Sequence, residues 1–302
     1  MADVKIIEVS PRDGLQNEPN LISTNEKERL VKLLLEAGLK SIEVTSFVHP
    51  VKVPQMADAS DVLEAVNDIE NWNSIALVPN LKGYQRAREH SLYEVNWVSS
   101  ATETFNQKNI GLSIDENFYQ FEELVGQAKK DGIKVCFSIA VSFGCPYEGD
   151  VSEEQVLKLV KRVKEAGADR IGIADTIGIA TPDQVESLMK KVLVLAGETP
   201  VAIHLHDTRG LGSANAYAAY QAGVRIFETA VSGIGGCPFA PGAAGNLATE
   251  DLVYLFHRMN IDTGLDFEKL LDAANYAASL SSKNPLGRIR HVERKPKKER
   301  LS

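Results

Sequence analysis

The chain has 302 residues, 44% of them hydrophobic and 25% charged, with a formal net charge of -8. That length suits one large domain or two small ones and buries most of its surface on folding, so no staple is needed for stability. The acidic balance excludes a general nucleic-acid binder. The cysteines, Cys136, Cys145 and Cys237, are too few and too odd in number for a disulfide framework, which points to a reducing compartment. The opening MADVKIIEVS lacks a basic segment followed by an apolar core. No run approaches the roughly 18 apolar residues that span a bilayer. A cytoplasmic protein free of membrane is the expectation.

Strand-length apolar segments alternate with helix-length amphipathic ones. In chain order the pattern predicts a strand at 4–9 and a helix at 24–37, then pairs at 41–46 and 55–66, 74–78 and 81–89, 94–99 and 114–130, 134–141 and 153–165. It continues with 170–174 and 182–195, 201–205 and 212–222, 226–230 and 248–259. Thr24, two residues before Glu26, marks the start of the first helix, and Ser152 before Glu153 and Glu154 marks a later one. Ala-Gly pairs at Gly38, Gly167 and Gly223 end three helices where glycine accepts positive φ.

Eight βα units in this length predict a (β/α)₈ TIM barrel, with an open doubly wound sheet as the structural alternative. No G-x-G-x-x-G follows a strand, which speaks against dinucleotide binding. An extra helix is expected at 267–280. The barrel and that helix occupy 1–282, and 283–302 is a basic tail on which no fold is imposed. The tail carries Lys283, Arg288, Arg290, Arg294, Lys295, Lys297, Lys298 and Arg300 against Glu293 and Glu299. It reads either as a solvated end or as an electrostatic aid to capturing phosphates.

Active sites of such barrels lie at the C-terminal ends of the strands. Reactive side chains collect there: Arg12 and Asp13 after the first strand, Glu43 and Ser46 on the second, Asp175 after the sixth, His204 and His206 on the seventh. A glycine-rich loop with Cys237 and then Asn246 follows the eighth. His204 and His206, two apart, fall on one strand face. With a carboxylate from the first strand they would suit a divalent ion, Mg²⁺ or Mn²⁺ rather than structural zinc. A core histidine beside a surface one is the alternative. Arg12–Asp13 and Glu43 also read as ordinary ion pairs, Asp175 as a helix cap, and Cys237 as a small apolar filler.

Several segments carry more than this. Glu8-Val-Ser-Pro-Arg-Asp-Gly-Leu-Gln-Asn-Glu18, Ile42-Glu-Val-Thr-Ser-Phe47, Gly144-Cys-Pro-Tyr-Glu-Gly149, Asp175-Thr-Ile-Gly178 and His204-Leu-His-Asp-Thr208 stand in order. Ser232-Gly-Ile-Gly-Gly-Cys-Pro-Phe-Ala-Pro-Gly-Ala-Ala-Gly-Asn-Leu-Ala-Thr-Glu-Asp251 follows them. Together they resemble the 3-hydroxy-3-methylglutaryl-CoA lyases, from about residue 4 to about residue 271. The resemblance implies metal-assisted cleavage of that acyl-CoA to acetyl-CoA and acetoacetate. It implies Asp13, His204, His206 and Asn246 as metal ligands, and catalytic roles for Arg12, Glu43, Asp175 and Cys237. Arg12 and Ser46 would contact the substrate, and a homodimer is the expected assembly.

The condensing transferases on the same barrel carry a Gly-Glu-Arg segment in the signature loop, which this chain lacks. A lyase acting on a longer-branched 3-hydroxyglutaryl-CoA is the nearer alternative. Ser10 and Ala174 stand where the family commonly has glycine, and Pro19 replaces a lysine of animal members, which bears on acyl-CoA affinity.

Overall fold

In the computed structural model, described for residues 2–236, 245–282, 285 and 287–292, eight parallel strands close into a barrel in sequence order. The elements run β1 (Lys5–Glu8), α1 (Thr24–Glu36), β2 (Ser41–Ser46), α2 (Ala59–Ala65), β3 (Asn73–Val78), α3 (Leu81–Ala87), β4 (Glu94–Ser100), α4 (Glu103–Asn109) and α5 (Ile114–Asp131). They continue β5 (Lys134–Ala140), α6 (Glu153–Ala166), β6 (Arg170–Asp175), α7 (Pro182–Ala196), β7 (Val201–Leu205), α8 (Gly212–Ala222), β8 (Ile226–Thr229), α9 (Thr249–Arg258) and α10 (Phe267–Leu280). Pairing of Lys5 with Ile226 through Glu8 with Thr229 closes the ring. The expected barrel and extra C-terminal helix are both present, and the open sheet is excluded. Among the described residues no helix is long and apolar enough to cross a membrane.

Strand alternation sorts the side chains between two cores. Outside the sheet, Phe137 meets Phe121 and Phe118 of α5 with ring centroids 4.6 and 4.8 Å apart, and Trp97 donates to Asn117 at 3.0 Å. Inside, several bonds join strands that are not neighbours, β4 to β2, β6 to β4 and β6 to β8, and so cross the barrel, while Ser138 bonds Asn96 on the adjacent strand. Asn96 on β4 donates to Glu43 on β2 at 2.9 Å and accepts from Ser138 on β5 at 2.8 Å. Arg170 on β6 holds Glu94 on β4 (Nη2–Oε1 2.5 Å) and Glu228 on β8. Such barrels usually fill this space with branched aliphatics. Here buried charge is tolerated because each ion meets an opposite one.

Local signals decide the boundaries. The three Ala-Gly endings behave as expected, with φ of 100°, 90° and 110° at Gly38, Gly167 and Gly223. Ser152 caps α6 by accepting from the Gln155 amide. The cap of α1, however, is Ser23 rather than Thr24. Glu26 stands three residues after Ser23, so the two form a reciprocal capping box, and Thr24 is the first helical residue. The expected helix at 55–66 divides into a 3₁₀ turn, Pro54–Met56, and α2. Gln55 is drawn aside there by its bonds to the Glu18 and Asn20 carbonyls. The short polar α4 was not legible as a helix.

Part of the tail, on which the sequence imposes no fold, is bonded to the barrel. Ser281 and Ser282 donate to Glu18, and Ile289–His291 forms a 3₁₀ turn. Arg288 pairs with Asp207 and Asp251 instead of standing free. Lys283 and residues 293–302 lie outside the described residues.

Candidate active site

A five-residue π-type turn, Ser10–Gly14, follows β1 and turns Arg12 and Asp13 back over the barrel mouth. On β2 the register with β3 slips between Glu43 and Thr45, a bulge of the kind that re-aims side chains near active sites. His204 is the last residue but one of β7 and His206 stands just beyond the strand, and their Nε2 atoms approach to 3.1 Å. One ligand atom each from Asp13, His204 and His206 lies within 4.8 Å of the others. The alternation argument for the two histidines therefore holds, and the first-strand carboxylate that meets them is Asp13.

Three features fit this cluster to a divalent cation. First, the Nδ1 of His204 lies 3.4 Å from Oε2 of Glu228. A proton on that nitrogen leaves the Nε2 lone pair facing the cluster, the usual carboxylate–histidine support of a metal ligand. Second, burial, then a protonated His204, pushes His206 down to about 3, so His206 stays neutral and able to ligate. His204 itself is raised, because Glu228 and Asp13 outweigh its burial, and it would give up its Nε2 proton to a cation there. Third, Asn246 donates its amide to Asp13 (2.8 Å) and to the Ile234 carbonyl (2.9 Å). Those two acceptors fix the amide orientation and leave Oδ1 buried with no hydrogen-bond partner among the described residues. An orphaned buried carbonyl oxygen is costly unless it meets a cation or donor. Burial alone would raise the Asp13 carboxyl, but Arg12 and the two imidazoles outweigh it and bring it down to about 2.

Beside the cluster, Arg12 donates through Nε to Glu43 (2.5 Å) and through Nη1 to Asp13 (2.6 Å). Its Nη2 also lies 2.5 Å from Glu43. Three of five N–H groups are thereby engaged. The Glu43 carboxyl is raised, because its burial outweighs the attraction of Arg12. Ser46 is wholly buried, and its hydroxyl has no partner among the described residues. Asp175 takes the capping geometry, accepting the Ile179 and Ala180 amides at 3.0 and 3.1 Å, and its burial raises it.

The sequence model of the HMGL-like family matches residues 3–277. The chain belongs to the HMGL-like family. Among curated relatives, the bovine mitochondrial hydroxymethylglutaryl-CoA lyase is 44% identical over 273 residues, covering 90% of this chain and 84% of that one. The zebrafish cytoplasmic 3-hydroxy-3-methylglutaryl-CoA lyase is 40% identical over 291 residues, covering 96% and 87%. A solved HMG-CoA lyase from Acinetobacter baumannii, in complex with coenzyme A and 3-methylmalate, superposes with a TM-score of 0.92 at 37% identity, covering 97% of this chain and 96% of that chain.

For this HMGL-like chain, the structure also brings residues to the site that sequence reasoning missed. Glu228 behind His204, Arg170 behind Glu228, and Asn96 behind Glu43 are all polar residues within strands. Asn246, which only the family resemblance singled out, arrives by a different route. Asp207 donates to the Gly245 carbonyl at 3.1 Å and Leu247 to the Leu205 carbonyl at 2.9 Å. The returning chain thus lies along the end of β7 and sets Asn246 opposite His206. A Cβ on Gly245 would stand 2.2 Å from the Gly233 carbonyl, so only glycine lets the two loop ends cross. Cys237 lies outside the described residues. Ser10 is wholly buried and Pro19 is exposed.

Proposed function

We infer that the chain is a carbon–carbon lyase that cleaves 3-hydroxy-3-methylglutaryl-CoA to acetyl-CoA and acetoacetate. The observation that carries this reading is the meeting of Asp13, His204 and His206 beside the Arg12–Glu43 pair. It occurs in a chain matched over 90% of its length to hydroxymethylglutaryl-CoA lyases.

In the reaction a proton leaves the tertiary hydroxyl, the carbon–carbon bond breaks, and its electron pair passes to the thioester as an enolate. A second proton then completes acetyl-CoA. Asp13, His204, His206 and Asn246 are proposed to hold Mg²⁺ or Mn²⁺, since a mixed oxygen and imidazole set suits these ions. Such a cation lowers the pKa of a hydroxyl that meets it.

The remaining work falls to side chains. Arg12, braced by Glu43 and Asp13, keeps two N–H groups for the enolate oxygen, an oxyanion-hole role with no reorganisation at the moment of reaction. Asp175 is proposed as the base. A carboxyl raised by burial is a better proton acceptor than an ordinary one, and its two backbone bonds fix its aim. Glu43 holds Arg12 and can take part in proton transfer. The Ser46 hydroxyl is proposed to bond the substrate. Cys237 is proposed as the donor of the second proton on its sequence context alone.

The free, buried thiols of Cys136 and Cys145 support a reducing compartment. Cytoplasmic residence is proposed on that ground, with both mitochondrial and cytoplasmic relatives known.

Substrate choice is tested by comparing kcat/KM for 3-hydroxy-3-methylglutaryl-CoA with that for its 3-ethyl homologue. One methylene is worth about 10–200-fold in a fitted pocket. The methyl substrate is expected to lead by at least tenfold, and equal or better cleavage of the ethyl homologue would reassign the substrate.

A further inference from the structure

After α10 the bonds of Ser281, Ser282 and 287–289 fall on a small set of functional elements. Ser281 Oγ and both the amide and hydroxyl of Ser282 donate to the buried Glu18, on the chain leaving the Arg12–Asp13 turn. The Gly287 amide donates to the Ser232 carbonyl at 2.9 Å, where the glycine-rich loop begins. A Cβ at Gly287 would stand 2.0 Å from Oε1 of Glu250 and 3.1 Å from the Ser232 Cα, so backbone and loop are in direct contact.

Arg288 binds the other end. Its amide and that of Ile289 donate to Asp251 at 3.0 and 2.8 Å. Its guanidinium donates to Asp207 at 2.7 Å and lies 3.7 Å from Asp251. The Asp207 side chain is 3% exposed and that of Asp251 7%. Two buried carboxylates so close need a cation between them.

Asp207 is the next residue after His206. It also donates its amide to Gly245, the residue before Asn246, and accepts from the Gly212 amide at 2.7 Å. Whatever holds Asp207 therefore holds the backbone that presents both His206 and Asn246.

We propose that Ser281, Ser282 and 287–292 form a strap that fixes both ends of the glycine-rich loop, and that Arg288 is the positioning residue through which the strap aligns His206 and Asn246. Arg288 touches no reacting atom in this account. It acts by neutralising Asp207 and Asp251 together, which keeps Asp207 seated against Gly245 and Gly212. The strap gives Arg288 of the basic tail a role at the site end of the barrel. Its kinetic consequences rest on the metal-lyase reading, whereas its mechanical ones do not.

The test uses the full chain with Arg288→Met and Arg288→Lys. The Arg288 side chain is 59% exposed, so both variants are expected to fold. In metal-free protein, amide exchange is followed in peptides covering 203–212 and 245–252. The methionine variant is expected to exchange there roughly tenfold faster, with the barrel strands β3 to β5 unchanged. Calorimetry with Mn²⁺ alone is expected to give about 5–10-fold weaker binding, since loss of outer-shell partners typically costs 10–100-fold. KM for the acyl-CoA stays within twofold, and kcat recovers when Mn²⁺ is raised. Arg288→Lys, which keeps a cation beside both carboxylates, recovers most of each effect. Unchanged exchange in Arg288→Met would overturn the strap, as would uniform acceleration across the barrel or a lysine variant no better than methionine. If the wild-type protein fails to bind Mn²⁺, the metal reading falls, and the strap is still judged by the exchange arm.

Discussion

Replacing Glu228 by glutamine changes one atom's chemistry and almost no volume, yet it attacks the Asp13–His204–His206 cluster through a single proton. Oε1 of Glu228 accepts from Arg170, and Oε2 lies 3.4 Å from Nδ1 of His204. As a carboxylate it accepts on both sides, which places the His204 proton on Nδ1 and the lone pair on Nε2. Glutamine has one acceptor. If its oxygen stays with Arg170, its NH₂ faces Nδ1, and His204 must move its proton to Nε2, the atom 3.1 Å from His206 Nε2. If the amide turns over, NH₂ faces the Arg170 guanidinium, donor against donor, which is costlier still. The tautomer shift therefore prevails.

Loss of a second partner of this kind costs about 10–100-fold in metal affinity, or ~1.4–2.7 kcal/mol. Arg170 keeps its bidentate hold on Glu94, so the loss in folding stability is expected to stay within ~1–3 kcal/mol. Calorimetry with Mn²⁺ reads the first quantity and urea unfolding of the metal-free protein the second. A Glu228→Gln protein that unfolds like the parent and binds Mn²⁺ equally well would refute the reasoning.

Three further outcomes follow from the same geometry. Arg12→Lys keeps the charge but loses the fork that spans Glu43 and Asp13, so turnover is expected to fall about 10²–10³-fold, and a fall under tenfold would remove the oxyanion role. Glu250 is pushed up to about 8 by burial, against 4.5 in an exposed chain. Between those values the folded state holds the proton that the unfolded state has released, so stability is highest below about pH 4.5 and is lost as pH rises through about 8. The gap corresponds to roughly 4–5 kcal/mol as an upper bound. Urea unfolding from pH 5 to 9 is expected to show this decline, and Glu250→Gln to remove most of it; an equally steep decline in the variant would assign it elsewhere. Cys237→Ser is expected to lower kcat while leaving Mn²⁺ affinity intact, and unchanged turnover would take the proton-donor role from that residue.

The barrel was legible because each βα unit repeats the same local physics: an apolar run, a cap, an amphipathic face and a glycine stop. The strand-end rule then picked out Arg12, Asp13, Glu43, Asp175, His204 and His206 without knowledge of any contact. The supports were hidden for the opposite reason. Arg170 and Glu94 are 76 positions apart, and Arg170 and Glu228 are 58 apart. Within their own strands each is only a polar interruption, whose purpose exists once the barrel closes. Asn246 was hidden because it comes to His206 on a returning segment rather than at a strand end. Asp175 shows how two readings can coincide, since its capping bonds hold the same carboxyl that is proposed as the base.

The central claim is met most directly by giving metal-stripped protein 3-hydroxy-3-methylglutaryl-CoA, with and without Mg²⁺ or Mn²⁺, and following acetoacetate and acetyl-CoA. The account predicts equal amounts of the two products only when metal is added, and none from His204→Ala at the same metal concentration. Products formed equally well without metal, or by the His204→Ala protein, would contradict it.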